Sequence, residues 1–201
     1  MNPNYIDSAI ELMRVQRYSD ALHLLRQAID QDPSQWNAWY MAGQCCRFLN
    51  DIDGAIEHLS RAAVLKLDEA PIFLALGIAF QLDTQWDDAI EAFLRAIEID
   101  SDYELAYNSL ALTQKKCGDL DKALYNYDAG AKALARRIVK TMRNSRTSPI
   151  FKGKETVAKL KGTLWLEYAL YAAYLSSSVD GIDRIAWQSG TQVLEEERTE
   201  E

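Results

Sequence analysis

Few side chains in this 201-residue sequence are of types that do chemistry, and their spacing assembles no familiar device. His23 and His58 stand far apart and read as partly exposed surface histidines rather than a metal or catalytic pair. Cys45 and Cys46 are adjacent, a spacing that rarely permits a mutual disulfide, and Cys117 leaves the count odd. With no CxxC and no His/Cys cluster, zinc is not expected, and reduced, packed thiols fit a cytoplasmic location. Asp51, Asp53 and Glu57 fall where turns and solvated helix faces are expected, so they read as caps rather than acid/base pairs. In the C-terminal third, Tyr168 and Tyr171 with Lys159 and Lys161 would have to carry any enzymatic site, and they form no nucleophile–base–orienter set. Phosphate-cradling glycine loops and nucleophile elbows are absent. The expectation is a chain with no catalytic residue, no metal and no cofactor.

The elements that must position these residues are helical. Ala and Leu dominate, while Gly contributes nine residues and Pro four, too few turn formers for a β-hairpin protein. Hydrophobic residues make up 48%, enough to bury a core. The N-terminus, Met1 to Ser8, lacks the basic start and apolar stretch of a signal peptide. The longest apolar run, Ile72 to Phe80, is too short to cross a bilayer. Net charge is −8, unevenly spread. Residues 132–161 hold ten Lys/Arg against Glu155 alone, a net of +9; the remainder holds 12 bases and 29 acids, a net of −17.

A period of 34 residues organises the first two-thirds. Ala21, Ala55, Ala89 and Ala123 form one column. Leu25, Leu59, Phe93 and Tyr127 form a second, and Ala28, Ala62, Ala96 and Gly130 a third. Upstream lie Ala9, Gly43, Gly77 and Ala111, preceded by the aromatic column Tyr5, Trp39, Phe73 and Tyr107. Two helical apolar stripes per period predict a helix–turn–helix. The small columns mark where helix axes meet closely, and a larger side chain there is expected to cost about 1–3 kcal/mol. Asn50–Asp53 and Lys116–Asp119 supply polar breaks, and Asp32-Pro33-Ser34 closes the first unit.

These residues resemble the tetratricopeptide repeat family. Trp39-Ala42-Gly43, Phe73-Leu76-Gly77-Phe80 and Tyr107-Leu110-Ala111 match the first half of its pattern, while its closing proline survives only as Pro33. The resemblance implies an all-α, right-handed α-solenoid of four repeats over residues 2–137, at about 2–35, 36–69, 70–103 and 104–137. Residues 138–201 then form a C-terminal helical extension: a basic insertion, with a break at Asn144–Pro149, and a degenerate fifth helical pair. In that pair Trp165, Tyr168, Ala169, Ala172, Gly181 and Ile185 keep the pattern, and the Glu195–Glu197 tail suits a polar cap.

The resemblance also implies a concave face lined by the first helix of each unit. Its positions here are Ile6, Ile10, Met13 and Arg14; Tyr40, Gln44, Arg47 and Phe48; Leu74, Ile78, Gln81 and Leu82; and Asn108, Leu112, Lys115 and Lys116. Chaperone-binding members of the family clamp a terminal carboxylate with Lys, Asn and Arg. At the matching positions this sequence has Ile6, Ile10, Tyr40, Gln44, Leu74 and Ile78, so that capture is disfavoured. The strip is apolar with Arg14, Arg47, Lys115 and Lys116 along one border, which complements an amphipathic helix or an extended peptide with acidic neighbours.

The expected function is a non-catalytic, cytoplasmic scaffold or adaptor for a protein partner. A small client-specific chaperone is the alternative binding role, and an enzyme with its site in the C-terminal half the remaining one. Competing occupants of the strip are residues 150–201 or a second copy in a homodimer. Lys132, Arg136, Lys140 and Arg143 share a helical face that answers the acidic body; an acidic protein or an anionic membrane surface are its other readings. Nucleic acid is not expected, because no aromatic residues interleave with the bases.

Overall fold

In a computed structural model of the chain, residues 5–147 are described. They form eight helices and, among the described residues, no strand: α1 (Tyr5–Arg14), α2 (Tyr18–Gln31), α3 (Trp36–Phe48), α4 (Ile52–Leu65), α5 (Ala70–Leu82), α6 (Trp86–Ile99), α7 (Glu104–Lys116) and α8 (Leu120–Thr147). The fold class is the all-α solenoid of helix–turn–helix units. Of the extension expected at 138–201, residues 138–147 continue α8, which runs on through the break expected to begin at Asn144; the rest lies outside the described residues. Two compact units divide at Ile99 and Asp100. The first contains α1–α6, each helix packed on the next. The second contains α7 and α8, packed as a hairpin.

One local device closes every hairpin. Gln16, Asn50, Thr84 and Gly118 recur every 34 residues, each with positive φ of 60°, 62°, 61° and 89°. At each, the residue's own N–H bonds back three residues and the following N–H bonds back five, as in Asn50 N to Arg47 O (3.1 Å) and Asp51 N to Cys46 O (2.9 Å). The same pair appears at Gln16 and Arg17, Thr84 and Gln85, and Gly118 and Asp119. This is the Schellman termination, which satisfies the last carbonyls of α1, α3, α5 and α7. Only Gly118 takes the left-handed conformation without steric cost.

The small-residue columns are where helices touch. Ala21, Ala55, Ala89 and Ala123 have no exposed surface, nor do Ala9 and Ala111. A Cβ on Gly43 would lie 2.5 Å from Leu59 Cγ, and one on Gly77 2.5 Å from Phe93 Cε1. Leu25, Leu59 and Phe93 are fully buried, and Tyr127 nearly so. The aromatic column is half-buried, and Trp39 uses its indole N–H to hold the preceding turn at Pro33 O (2.9 Å). In that turn the Asp32 carboxylate accepts from Ser34 N (3.0 Å), Ser34 Oγ (2.6 Å) and Gln35 Nε2 (3.1 Å). Those bonds, the Ser34 hydroxyl first, hold its pKa below the usual carboxylate value.

Candidate functional site: one face of the first helices

Within the first unit, α1, α3 and α5 are the first helices of their hairpins, and α3 touches α5 directly. On α3 the positions Tyr40, Gln44, Arg47 and Phe48 fall one turn apart and share a side. Arg47 donates through Nε (3.1 Å) and Nη2 (2.9 Å) to Gln44 Oε1, and Gln44 Nε2 donates to Tyr40 Oη (3.1 Å). A polar ladder therefore runs along α3, its members half-buried and bonded to one another. The Arg47 guanidinium also lies 4.4 Å from the Phe48 ring centroid, close enough for a cation–π contact. Phe48, 50% exposed, stacks on Tyr18 of α2 at 4.5 Å and 10°, so its ring is engaged at the hairpin's turn end.

On α1, Ile6 and Met13 pack partly against the core while Ile10 is half-buried. Arg14 is exposed and pairs with Glu11 at 3.2 Å. On α5, Ile78 and Gln81 are half-buried, Leu82 is 53% exposed, and Leu74 is buried at 8% exposure. The burial of Leu74 makes it as much a core residue as a surface one.

The second unit brings Asn108, Leu112, Lys115 and Lys116 onto α7. Leu112 is 41% exposed. Both polar atoms of the Asn108 amide are buried without a hydrogen-bond partner, beside Gly130 of α8. Such a group carries an unrecovered desolvation cost. By contrast, Asn126 Nδ2 donates to Gln114 Oε1 at 2.8 Å in the interior. The basic face of α8 is partly neutralised: Lys132 pairs with Asp128 (3.0 Å) and Arg136 with Asp102 (2.7 Å). Arg137 reaches the buried Glu104 at 2.7 Å. Lys140 is exposed, and the side chain of Arg143 lies outside the described residues.

The reactive residue types stand apart from this face. Burial pushes the Cys45 thiol up to about 12 and the Cys46 thiol up to about 11, so both stay protonated and unreactive. Cys117 is exposed at the end of α7. His23 is exposed, with Nε2 3.2 Å from Gln27 Nε2. His58 lies against Trp39, ring centroids 5.5 Å apart; burial lowers its pKa, and its Nδ1 has no partner. Asp51 caps α4 through Gly54 N (3.1 Å), while Asp53 and Glu57 are exposed. Among the described residues no His/Cys/Asp/Glu group could hold a metal ion, and no helix is long and apolar enough to cross a membrane. Tyr168, Tyr171, Lys159 and Lys161 lie outside the described residues, as does the segment 150–201 considered as an occupant of the strip.

Two features of the first unit were not expected from the sequence. One is the bonded ladder, whose signal was the i, i+4, i+7 spacing of Tyr40, Gln44 and Arg47. The other is a cleft between α5 and α6 on a different face, which depends on side-chain reach and left no periodic mark.

A family model described as Tetratricopeptide repeat matches residues 6–71, and one described as TPR repeat matches residues 85–117. No curated protein matches the chain. Among solved structures, MamA superposes with a TM-score of 0.62 at 24% identity, covering 64% of this chain and 70% of MamA. YrrB, described as a TPR protein with an unusual peptide-binding site, gives 0.57 at 21% identity over 85% of this chain and 90% of its own. The first TPR of Spaghetti (RPAP3), solved with the HSP90 peptide SRMEEVD, gives 0.56 at 15% identity over 57% and 90%. The family-model matches show tetratricopeptide repeats in residues 6–71 and 85–117, where the 34-residue columns, the recurring Schellman turns and the buried small residues also fall.

Proposed function

We propose that the protein is a non-catalytic, cytoplasmic interaction scaffold, and that the shared side of α1, α3 and α5 receives a helical or extended segment of a partner protein. The observation that supports this reading best is the bonded Arg47–Gln44–Tyr40 ladder on α3, a first helix like those that carry the half-buried Ile6, Ile10 and Ile78. Polar groups fixed by one another at one-turn intervals, next to apolar side chains, suit a peptide whose backbone needs partners and whose side chains need cover. Because the face is built on helices, little ordering accompanies binding, and more of the contact energy remains as affinity. Two structural neighbours, YrrB and the RPAP3 repeat, carry peptides or a peptide site in their descriptions, which agrees with a peptide-binding role here.

The test is affinity purification with mass spectrometry, comparing the natural chain with Arg47→Glu plus Ile78→Glu. Both residues are only half-buried, so helicity by circular dichroism should persist. Expected is loss of the specific partner from the variant. Retention of the same partner by a folded variant would place the binding site elsewhere.

A further inference from the structure

The hairpin of α5 and α6 carries a cleft of about 530 Å³. Its apolar surface comes from Phe73, Leu76 and Phe80 of α5, with Leu67 and Leu94 at the sides. Leu67 is 62% exposed and Leu94 51%, so the cleft leaves two large apolar side chains open to solvent. At 100° per residue, Phe73, Leu76 and Phe80 lie roughly 130° around α5 from Leu74, Ile78 and Gln81. The cleft is therefore a separate surface from the one proposed above, and it stands or falls independently.

Its rim is acidic. Asp88, Glu91 and Glu98 line it together with one base, Arg95. Glu98 is paired with Arg95, whereas Asp88 and Glu91 make no ion pair among the described residues. Arg95 shows how the cleft treats a cation. Its guanidinium lies 5.8 Å from the Phe73 ring centroid, and Nη2 donates to Leu67 O at 3.4 Å. An aromatic face, a carbonyl and a carboxylate thus already hold one positive group, and two further carboxylates remain unmatched. The surrounding field has the same sign, since residues 1–99 carry seven Lys/Arg against 15 Asp/Glu.

We propose that this cleft docks a short segment of a partner protein in which an apolar side chain is flanked by lysine or arginine. The apolar side chain covers Phe73, Phe80 and Leu94. The flanking cations meet Asp88 and Glu91, and the acidic field accelerates their approach. A chain with one face for a partner whose apolar anchors have acidic neighbours and another for a basic segment would bridge two proteins of opposite charge character.

The experiment is fluorescence anisotropy of the full chain with a labelled synthetic peptide that alternates leucine with lysine and arginine, read against Glu91→Lys, Leu94→Asn and Asp30→Lys. Asp30 is exposed on α2 and its change alters net charge as Glu91→Lys does. Expected is about a tenfold loss of affinity for Glu91→Lys and for Leu94→Asn, with Asp30→Lys within about twofold of the natural chain. Equal losses for Glu91→Lys and Asp30→Lys would reduce the binding to net-charge attraction and overturn the proposal. So would an unchanged Leu94→Asn, equal binding of a peptide with glutamates in place of its bases, or no measurable binding. If sedimentation shows the chain self-associating, and Glu91→Lys dissolves that association, the occupant is a second copy and the partner proposal fails.

Discussion

Single residues set the limits of this structure where the chain has no room or no favourable conformation. Gly77→Ala would bring a Cβ to 2.5 Å from the Phe93 ring, and should destabilise the first unit by about 1–3 kcal/mol, read as a lower urea midpoint. The four turn positions separate by residue type. Thr84 is β-branched yet has φ 61°, so Thr84→Asn should stabilise by about 0.5–1 kcal/mol. Gly118→Ala, at φ 89°, should cost about 1–2 kcal/mol, and thermal melts would show the opposite signs. Asn108 predicts a different trade. Replacing its unpartnered amide by leucine should raise stability by about 1 kcal/mol on thermal unfolding. His58 gives a pH signature. Burial lowers its folded pKa despite the opposing charges of Glu57 and Asp51, so the unfolded chain binds the extra proton first. Stability should be complete above the ordinary value of 6.5 and decline as pH falls below it. The decline between pH 7 and 5 should shrink in His58→Phe; an unchanged profile would remove His58 as its source. Asp32, also lowered, acts only in the more acidic carboxylate range.

At the scale of elements, the hairpin is the unit that sequence reading recovers well. The recurrence of Ala21, Ala55, Ala89 and Ala123 marks helix contact because a side chain larger than a methyl has nowhere to go, and such a steric rule writes itself as a period. The polar breaks at Asn50 and Gly118 were legible for the same reason, whereas Gln16 and Thr84 were not, since neither type favours the conformation it adopts. The candidate face was legible in part. Position along a first helix tells which side a residue occupies, but not whether a neighbour covers it. Leu74 shows the difference: at 8% exposure, Leu74→Glu would bury a charge, and should unfold the first unit at a lower denaturant concentration by several kcal/mol. Ile78→Glu alone should be tolerated, as circular dichroism melts would show. The basic stretch is similar. Its sequence shows charge density, while the structure shows Arg136 spent on Asp102 and Arg137 on Glu104 across the α7–α8 hairpin.

At the scale of the whole molecule, the described residues are repeated hairpins, and the stability of the first unit is expected to be a sum of its hairpins and their nearest-neighbour contacts. Surface substitutions that leave those contacts alone should therefore separate binding from folding. The reactive side chains follow the same division: the thiols of Cys45 and Cys46 are sealed in the core, and the described carboxylates mostly cap, pair or face solvent. What the molecule offers is surface held in place by helices, with a polar ladder on α3 as its most ordered feature. The most direct measurement is calorimetric titration of the captured partner segment into the natural chain and into Arg47→Glu plus Ile78→Glu, both shown to melt alike. An affinity loss of about tenfold or more is expected for the variant. Equal affinity in two equally folded proteins would contradict the assignment of binding to the first helices.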